Sequence, residues 1–139
     1  MKDKMLIVDD EKSIQEAVKT IFSEDFLVFT ASEGKEAVEI LKRERPILVF
    51  LDITMPGLSG LDVLALIKTT KISTTIWMLT GEEDLDIALK TIQMGATGYL
   101  TKPFKVSEIR EIARGVKKTC DHKVNHDTSD DKPWHVEKE

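Results

Sequence analysis

A chain of 139 residues, 41% of them hydrophobic and 32% charged, can bury one real core but not two ordinary ones, so a single domain with one principal site is expected. Its longest apolar run, Ile47 to Leu51, falls far short of the ~20 residues that a membrane helix needs, which argues against a membrane span. The net charge is −5 and no segment concentrates lysine and arginine, so direct nucleic-acid binding is not expected.

The first element is the run MLIV, residues 5–8, an apolar strand that ends abruptly on Asp9, Asp10 and Glu11. Two adjacent carboxylates a few ångströms apart cost roughly 3–4 kcal/mol at an effective dielectric near 20, so a positive partner is expected beside them. A helical spacing follows at Ile14, Ala17, Val18, Ile21 and Phe22, and then a second strand, FLVFT (26–30). Ala37, Val38, Ile40 and Leu41 mark the next helix. The third strand, ILVFL (47–51), runs directly into Asp52.

After it comes MPGLSG, whose Gly57 and Gly60 read as suppliers of positive φ and loop freedom, and then a helix carrying Leu61, Leu64 and Ile67. The fourth strand, TIWML (75–79), ends in Thr80-Gly81, with Trp77 read as core packing and Gly81 as an open approach beside Thr80. Leu85, Ala88, Leu89 and Ile92 form the apolar stripe of the fourth helix. GYLT (98–101) is the fifth strand and ends in Thr101-Lys102-Pro103. Ser107 is the expected N-cap of a last helix bearing Ile109, Ile112, Ala113 and Val116.

Strand and helix thus alternate five times, with strands starting 21 to 28 residues apart. The first, third and fourth strands are apolar at consecutive positions, as strands covered on both faces must be, which argues for a parallel sheet. Right-handed crossovers leave few topologies, and the doubly wound order 2-1-3-4-5 is the commonest small one. In such a sheet ligands bind at the carboxyl ends of the strands, where the winding reverses between the first and third.

All the polar chemistry of the strand ends lies on that edge. Asp9, Asp10 and Asp52 converge there with a formal charge of −3. A hard divalent cation suits the cluster, and Mg²⁺ in particular, because it accepts one or two carboxylates and leaves room for a phosphoryl oxygen; Mn²⁺ would substitute. With the metal and Lys102 the charges sum to zero. Asp52 is then a candidate nucleophile able to form an acyl phosphate, with the metal, Lys102 and the Thr80 hydroxyl neutralising the equatorial oxygens during transfer.

The motifs LIVDDE, LDITMPGLSG, LTG and YLTKPF, in that order and at that spacing over about residues 3–118, resemble the receiver domain of two-component response regulators. Any one of them is weak; together they are specific. The resemblance implies a flavodoxin-like three-layer α/β fold and a phosphoacceptor, Asp52, that takes a phosphoryl group from a sensor histidine kinase or a histidine phosphotransfer protein. It implies a metal held by the Asp9-Asp10 acidic pair, Asp52 and the backbone carbonyl of Thr54, with Thr80 and Lys102 binding the phosphoryl group. It further implies a cis Lys102-Pro103 bond, a switch through Thr80 and Tyr99, and a changed face formed by helix 4, strand 5 and helix 5. That face would engage an unidentified downstream protein, or a second copy on phosphorylation. Thr54 and Glu82 take the positions that tune hydrolysis in such proteins, and a phosphorylated lifetime longer than that of the fastest receivers is expected.

The receiver is expected to span 1–119, with 120–139 a polar, disordered extension or linker. Cys120, His122 and His126 tempt a zinc reading, but no second ligand cluster accompanies them. The N-terminus carries acids straight after its apolar stretch and no small-residue cleavage site, and a lone cysteine fits a reducing compartment, so the cytoplasm is the expected location. Three other readings compete. One is a receiver cut from a larger regulator with its own output domain. Another is an aspartyl-phosphate-type phosphatase, against which the nucleophile stands after the third strand and not in D-x-D-x-T/V after the first. The last is a flavin carrier, against which acids occupy the loop where a flavin phosphate needs amides and hydroxyls.

Overall fold

The computed structural model describes residues 2–55 and 57–121, the last four by backbone alone. The elements follow in the order β1 (Asp3–Val8), α1 (Lys12–Phe22), β2 (Phe26–Ala31), α2 (Gly34–Glu44), β3 (Leu48–Asp52), α3 (Gly60–Thr70) and β4 (Thr75–Thr80). A short 3₁₀ turn (Glu82–Asp84), α4 (Leu85–Gln93), β5 (Gly98–Thr101) and α5 (Val106–Asp121) complete them. The Cys120–His122–His126 zinc reading extends past the described residues, and with it almost all of the 120–139 segment.

The sheet is parallel throughout, in the order β2-β1-β3-β4-β5. Consecutive apolar residues in β1 are all fully buried because the sheet is covered on both sides. Leu6 and Val8 join Val49, Leu51, Ile76 and Met78 in a core with α2, α3 and α4. Met5 and Ile7 point the other way and join Leu48, Phe50, Leu79 and Leu100 in a second core with α1 and α5. Burying a Leu or Phe side chain contributes about 1.5–3 kcal/mol, so these two layers hold the strand ends rigidly in line. Trp77 is part of the second layer's margin, half-buried and packed against Gly98.

Several local expectations need correcting. Ser107 is not an N-cap: α5 begins at Val106, and the backbone N–H of Lys105 donates to Glu108 Oε1 at 2.8 Å, so a carboxylate reaching back does the capping. Gly60 does not have positive φ; it opens α3 where a Cβ would collide with the Asp52 carbonyl and with Ile53, so close approach is what demands glycine there. Gly57 does have positive φ, at 76°. In α1 Gln15 is buried along with Val18 and Phe22 while Ala17 is exposed, and in α3 Val63 is fully buried while Leu61 is only partly so. In α4, Leu85 and Leu89 are 40% and 55% exposed, so half of the predicted apolar stripe faces outward. Ser59 and Asp62 close a reciprocal capping box on α3, which fixes the loop that leaves β3.

Candidate functional site

Because β1 and β3 are neighbours in the sheet, the residues at their carboxyl ends meet: oxygens of Asp9, Asp10 and Asp52 all lie within 4.8 Å of one another. Asp9 is fully buried, Asp52 is 4% exposed, and Asp10 is exposed. Lys102 reaches them from the end of β5. Its Nζ lies 2.8 Å from Asp9 Oδ2, 3.5 Å from Asp52 Oδ2 and 3.5 Å from Glu11 Oε1. The Lys102 backbone N–H donates to the Thr80 carbonyl at 2.7 Å, tying the ends of β4 and β5 together, and the Lys102-Pro103 peptide is cis.

Asp52 is the electrostatically awkward member of the group. Burial, followed by the charge of Asp9, raises its pKa to about 6, against the opposing pull of Lys102 and the Thr54 N–H. That N–H donates to Asp52 Oδ1 at 3.2 Å. Burial by itself would lower the pKa of Lys102, but Asp9, Asp52 and Glu11 outweigh it and raise it, so the ammonium stays charged. Asp9 Oδ2 has no aligned hydrogen bond and meets Lys102 only as an ion pair, which leaves lone pairs open toward the cluster. Three hard oxygen donors around one point, with an excess of negative charge, fit a divalent cation of the Mg²⁺ type and suit softer metals poorly.

Thr80 ends β4 one residue beyond Leu79, the partner of Asp52 across the sheet; its side chain is buried and its hydroxyl donates to the Gly81 carbonyl at 3.0 Å. Thr54 is exposed at the rim, and Glu82 is exposed at the start of the 3₁₀ turn. Tyr99 lies on β5 opposite Met78, half-buried against the layer that holds α4. The approach beside Gly81 is narrower than the sequence suggests, because the Glu83 carboxylate folds over that glycine. Sequence reasoning also passed over Glu11 as a partner of Lys102, and over Gln15, whose carboxamide touches the backbone of Asp9 at 2.6 Å. A polar side chain falls outside the apolar spacing by which the inner face of α1 is read.

Residues 5–114 match the family model of the response regulator receiver domain, and the chain belongs to that family. It is a signalling domain of two-component systems. Sporulation initiation phosphotransferase F of Bacillus subtilis is 34% identical over 115 residues, an alignment covering 82% of this chain and 93% of that protein. The cell cycle transcriptional regulator CtrA of Caulobacter vibrioides is 39% identical over 110 residues, covering 79% of this chain but only 47% of that one. Among solved structures, the receiver domain of NtrX from Brucella abortus superposes with a TM-score of 0.78 at 33% identity, covering 84% of this chain and 99% of that domain. The receiver domain of a LuxO-type repressor protein from Vibrio parahaemolyticus gives 0.81 at 27% identity, covering 91% and 100%. Among the described residues no helix is long and apolar enough to cross a membrane.

Proposed function

We propose that this receiver accepts a phosphoryl group on Asp52 and signals by changing partners. The observation that carries the reading is the meeting, at one sheet edge, of a buried carboxylate, two further acids and one ammonium. A carboxylate Oδ of Asp52 attacks phosphorus, a P–O bond forms, and the P–N bond of a donor phosphohistidine breaks with its electron pair returning to the imidazole. Lys102, with its ammonium 3.5 Å from Asp52 Oδ2, would neutralise one phosphoryl oxygen, and the Thr80 hydroxyl, turning from the Gly81 carbonyl, would donate to another. Asp9, Asp10, Asp52 and the Thr54 carbonyl would hold Mg²⁺, or Mn²⁺ in its place. The cation supplies charge neutralisation for in-line transfer.

The donor would be a sensor histidine kinase or a histidine phosphotransfer protein. Leu85 and Leu89 are exposed on α4, a helix that packs beside β5, which supports a partner-binding face formed by α4, β5 and α5 whose downstream protein, or second copy, responds to Thr80 and Tyr99. Near-complete coverage of a protein named as a phosphotransferase favours a relay or stand-alone role, and half coverage of a transcriptional regulator favours a receiver within a longer chain; the mass of the full gene product tests which applies. The chemistry is tested by incubation with a small acyl phosphate and Mg²⁺, followed by intact mass and site mapping. One phosphoryl group on Asp52 is expected, with none on Asp52→Asn and none in chelator. Steady turnover of phosphomonoesters would instead establish the phosphatase reading.

A further inference from the structure

We propose that Gln15 is the positioning residue that pre-forms the acidic cluster, by clamping the Asp9 peptide against the turn after β2. The inference rests on the cation-assisted reading above and adds a residue to it. Gln15 is 5% exposed on the face of α1 that also buries Val18 and Phe22, so its carboxamide must find partners inside. Its Nε2 donates to the Asp9 carbonyl at 2.6 Å and to Ser32 Oγ at 3.0 Å, with the Ala31 carbonyl at 3.4 Å. Ser32 is fixed in turn, since its N–H donates to Glu36 Oε1 at 3.0 Å. One side chain therefore links α1, the end of β1 and the β2–α2 turn.

The consequence falls on Asp9. Its N–H donates to the Ala31 carbonyl at 3.0 Å, its carbonyl accepts from Gln15, its Oδ1 accepts from the Glu11 N–H at 2.9 Å, and its Oδ2 faces Lys102. The N–H, carbonyl and Oδ1 of Asp9 each make a hydrogen bond and its Oδ2 an ion pair with Lys102, and only the bond to its carbonyl comes from a side chain outside the group of Asp9, Asp10, Asp52 and Lys102. Without that contact the peptide between Asp9 and Asp10 is free to rotate, and both carboxylates are aimed by that peptide. A divalent cation would then have to organise the cluster as it binds, and affinity falls by the cost of doing so.

Gln15→Met keeps the length and apolar stem and removes the donors. Mg²⁺ titration by calorimetry, alongside urea unfolding, is expected to show the dissociation constant weakened about tenfold. A residue that only packs would lower stability and leave the constant at the parent's value, and that result overturns the inference. Ser32→Ala, which spares the core, is expected to weaken Mg²⁺ binding by about two- to threefold, on the scale of one neutral hydrogen bond; it decides the matter if Gln15→Met does not fold, and an unchanged constant then overturns the proposal. A parent that binds Mg²⁺ but takes no phosphoryl group at Asp52 refutes the phosphoacceptor reading alone and leaves this comparison standing. A parent that binds no Mg²⁺ refutes both.

Discussion

Lys102 Nζ stands 2.8 Å from Asp9 Oδ2 and 3.5 Å from Asp52 Oδ2, so one ammonium from the last strand compensates two buried carboxylates from the first and third. Removing it leaves Asp9, fully buried, without a counter-charge. Loss of one partner of a buried pair costs about 3–5 kcal/mol, and the partial exposure of Lys102 brings the expectation to the lower end or below. Lys102→Met is therefore expected to lose about 2 kcal/mol of unfolding free energy at pH 7 without Mg²⁺, and to recover much of it when Mg²⁺ is added. Urea titrations with and without the cation measure both.

Asp52 gives a pH dependence of opposite sense to an ordinary salt-bridged acid. Its folded pKa, about 6, lies above the unfolded value near 3.8, so the folded state binds the proton more tightly. Above pH 6 the buried charge is a cost; as pH falls from 6 toward 4 the folded protein gains stability relative to a chain lacking this group. Asp52→Asn removes the cost permanently. In the absence of Mg²⁺ it is expected to be more stable than the parent at pH 7 by about 1–3 kcal/mol, with the difference shrinking toward pH 4. An equal or lower stability at pH 7 would mean that Lys102 already offsets the burial in full.

Thr54 bears on how long the phosphoryl group lasts. Its N–H holds Asp52 Oδ1 and its side chain is exposed at the rim, where water must approach the phosphorus. The threonine hydroxyl can also donate and accept, but a carboxamide there reaches one atom farther toward that water. Thr54→Asn is expected to shorten the phosphorylated half-life several-fold, followed by loss of the phosphoryl group in intact-mass time courses. Unchanged or slower decay counts against the assignment.

The fold was legible because its signal is periodic. Alternating runs of buried strand and amphipathic helix leave little freedom once parallel pairing is inferred, and the chemistry follows from knowing which strand ends are neighbours. Asp9, Asp52 and Lys102 could thus be brought together on paper across more than ninety positions. What stayed hidden was set by individual contacts. Gln15 belongs to the inner face of α1 by angle but not by polarity, and only the turn after β2 explains its burial. Arg45 and Lys71 end α2 and α3 in the left-handed region without glycine, so no residue type announced those stops. Leu85 and Leu89 read as core because periodicity counts apolar residues and cannot tell which are covered.

Gly60 joins the fold to the site most directly. It begins α3 without positive φ, and its N–H donates to the Ile53 carbonyl at 2.8 Å. On propensity alone alanine would be better there, by up to about 1 kcal/mol. Sterics decide otherwise, because the added Cβ meets the carbonyl oxygen of Asp52 and the backbone of Ile53, atoms that cannot swing aside like a flexible side chain. Overpacking of this kind costs about 1–3 kcal/mol, more than propensity returns. The chain must relieve it by moving α3 or the end of β3, and β3 carries Asp52. Gly60→Ala is therefore expected to lose about 1–2 kcal/mol net and to slow phosphoryl acceptance from a small acyl phosphate. Gly57→Ala serves as the comparison: its Cβ would meet nothing, but its φ of 76° strains any other residue, so stability should fall while Asp52 stays in place and acceptance remains near the parent's rate. If both variants lose stability alike and accept phosphate alike, the contact between Gly60 and the Asp52 carbonyl has no bearing on the site.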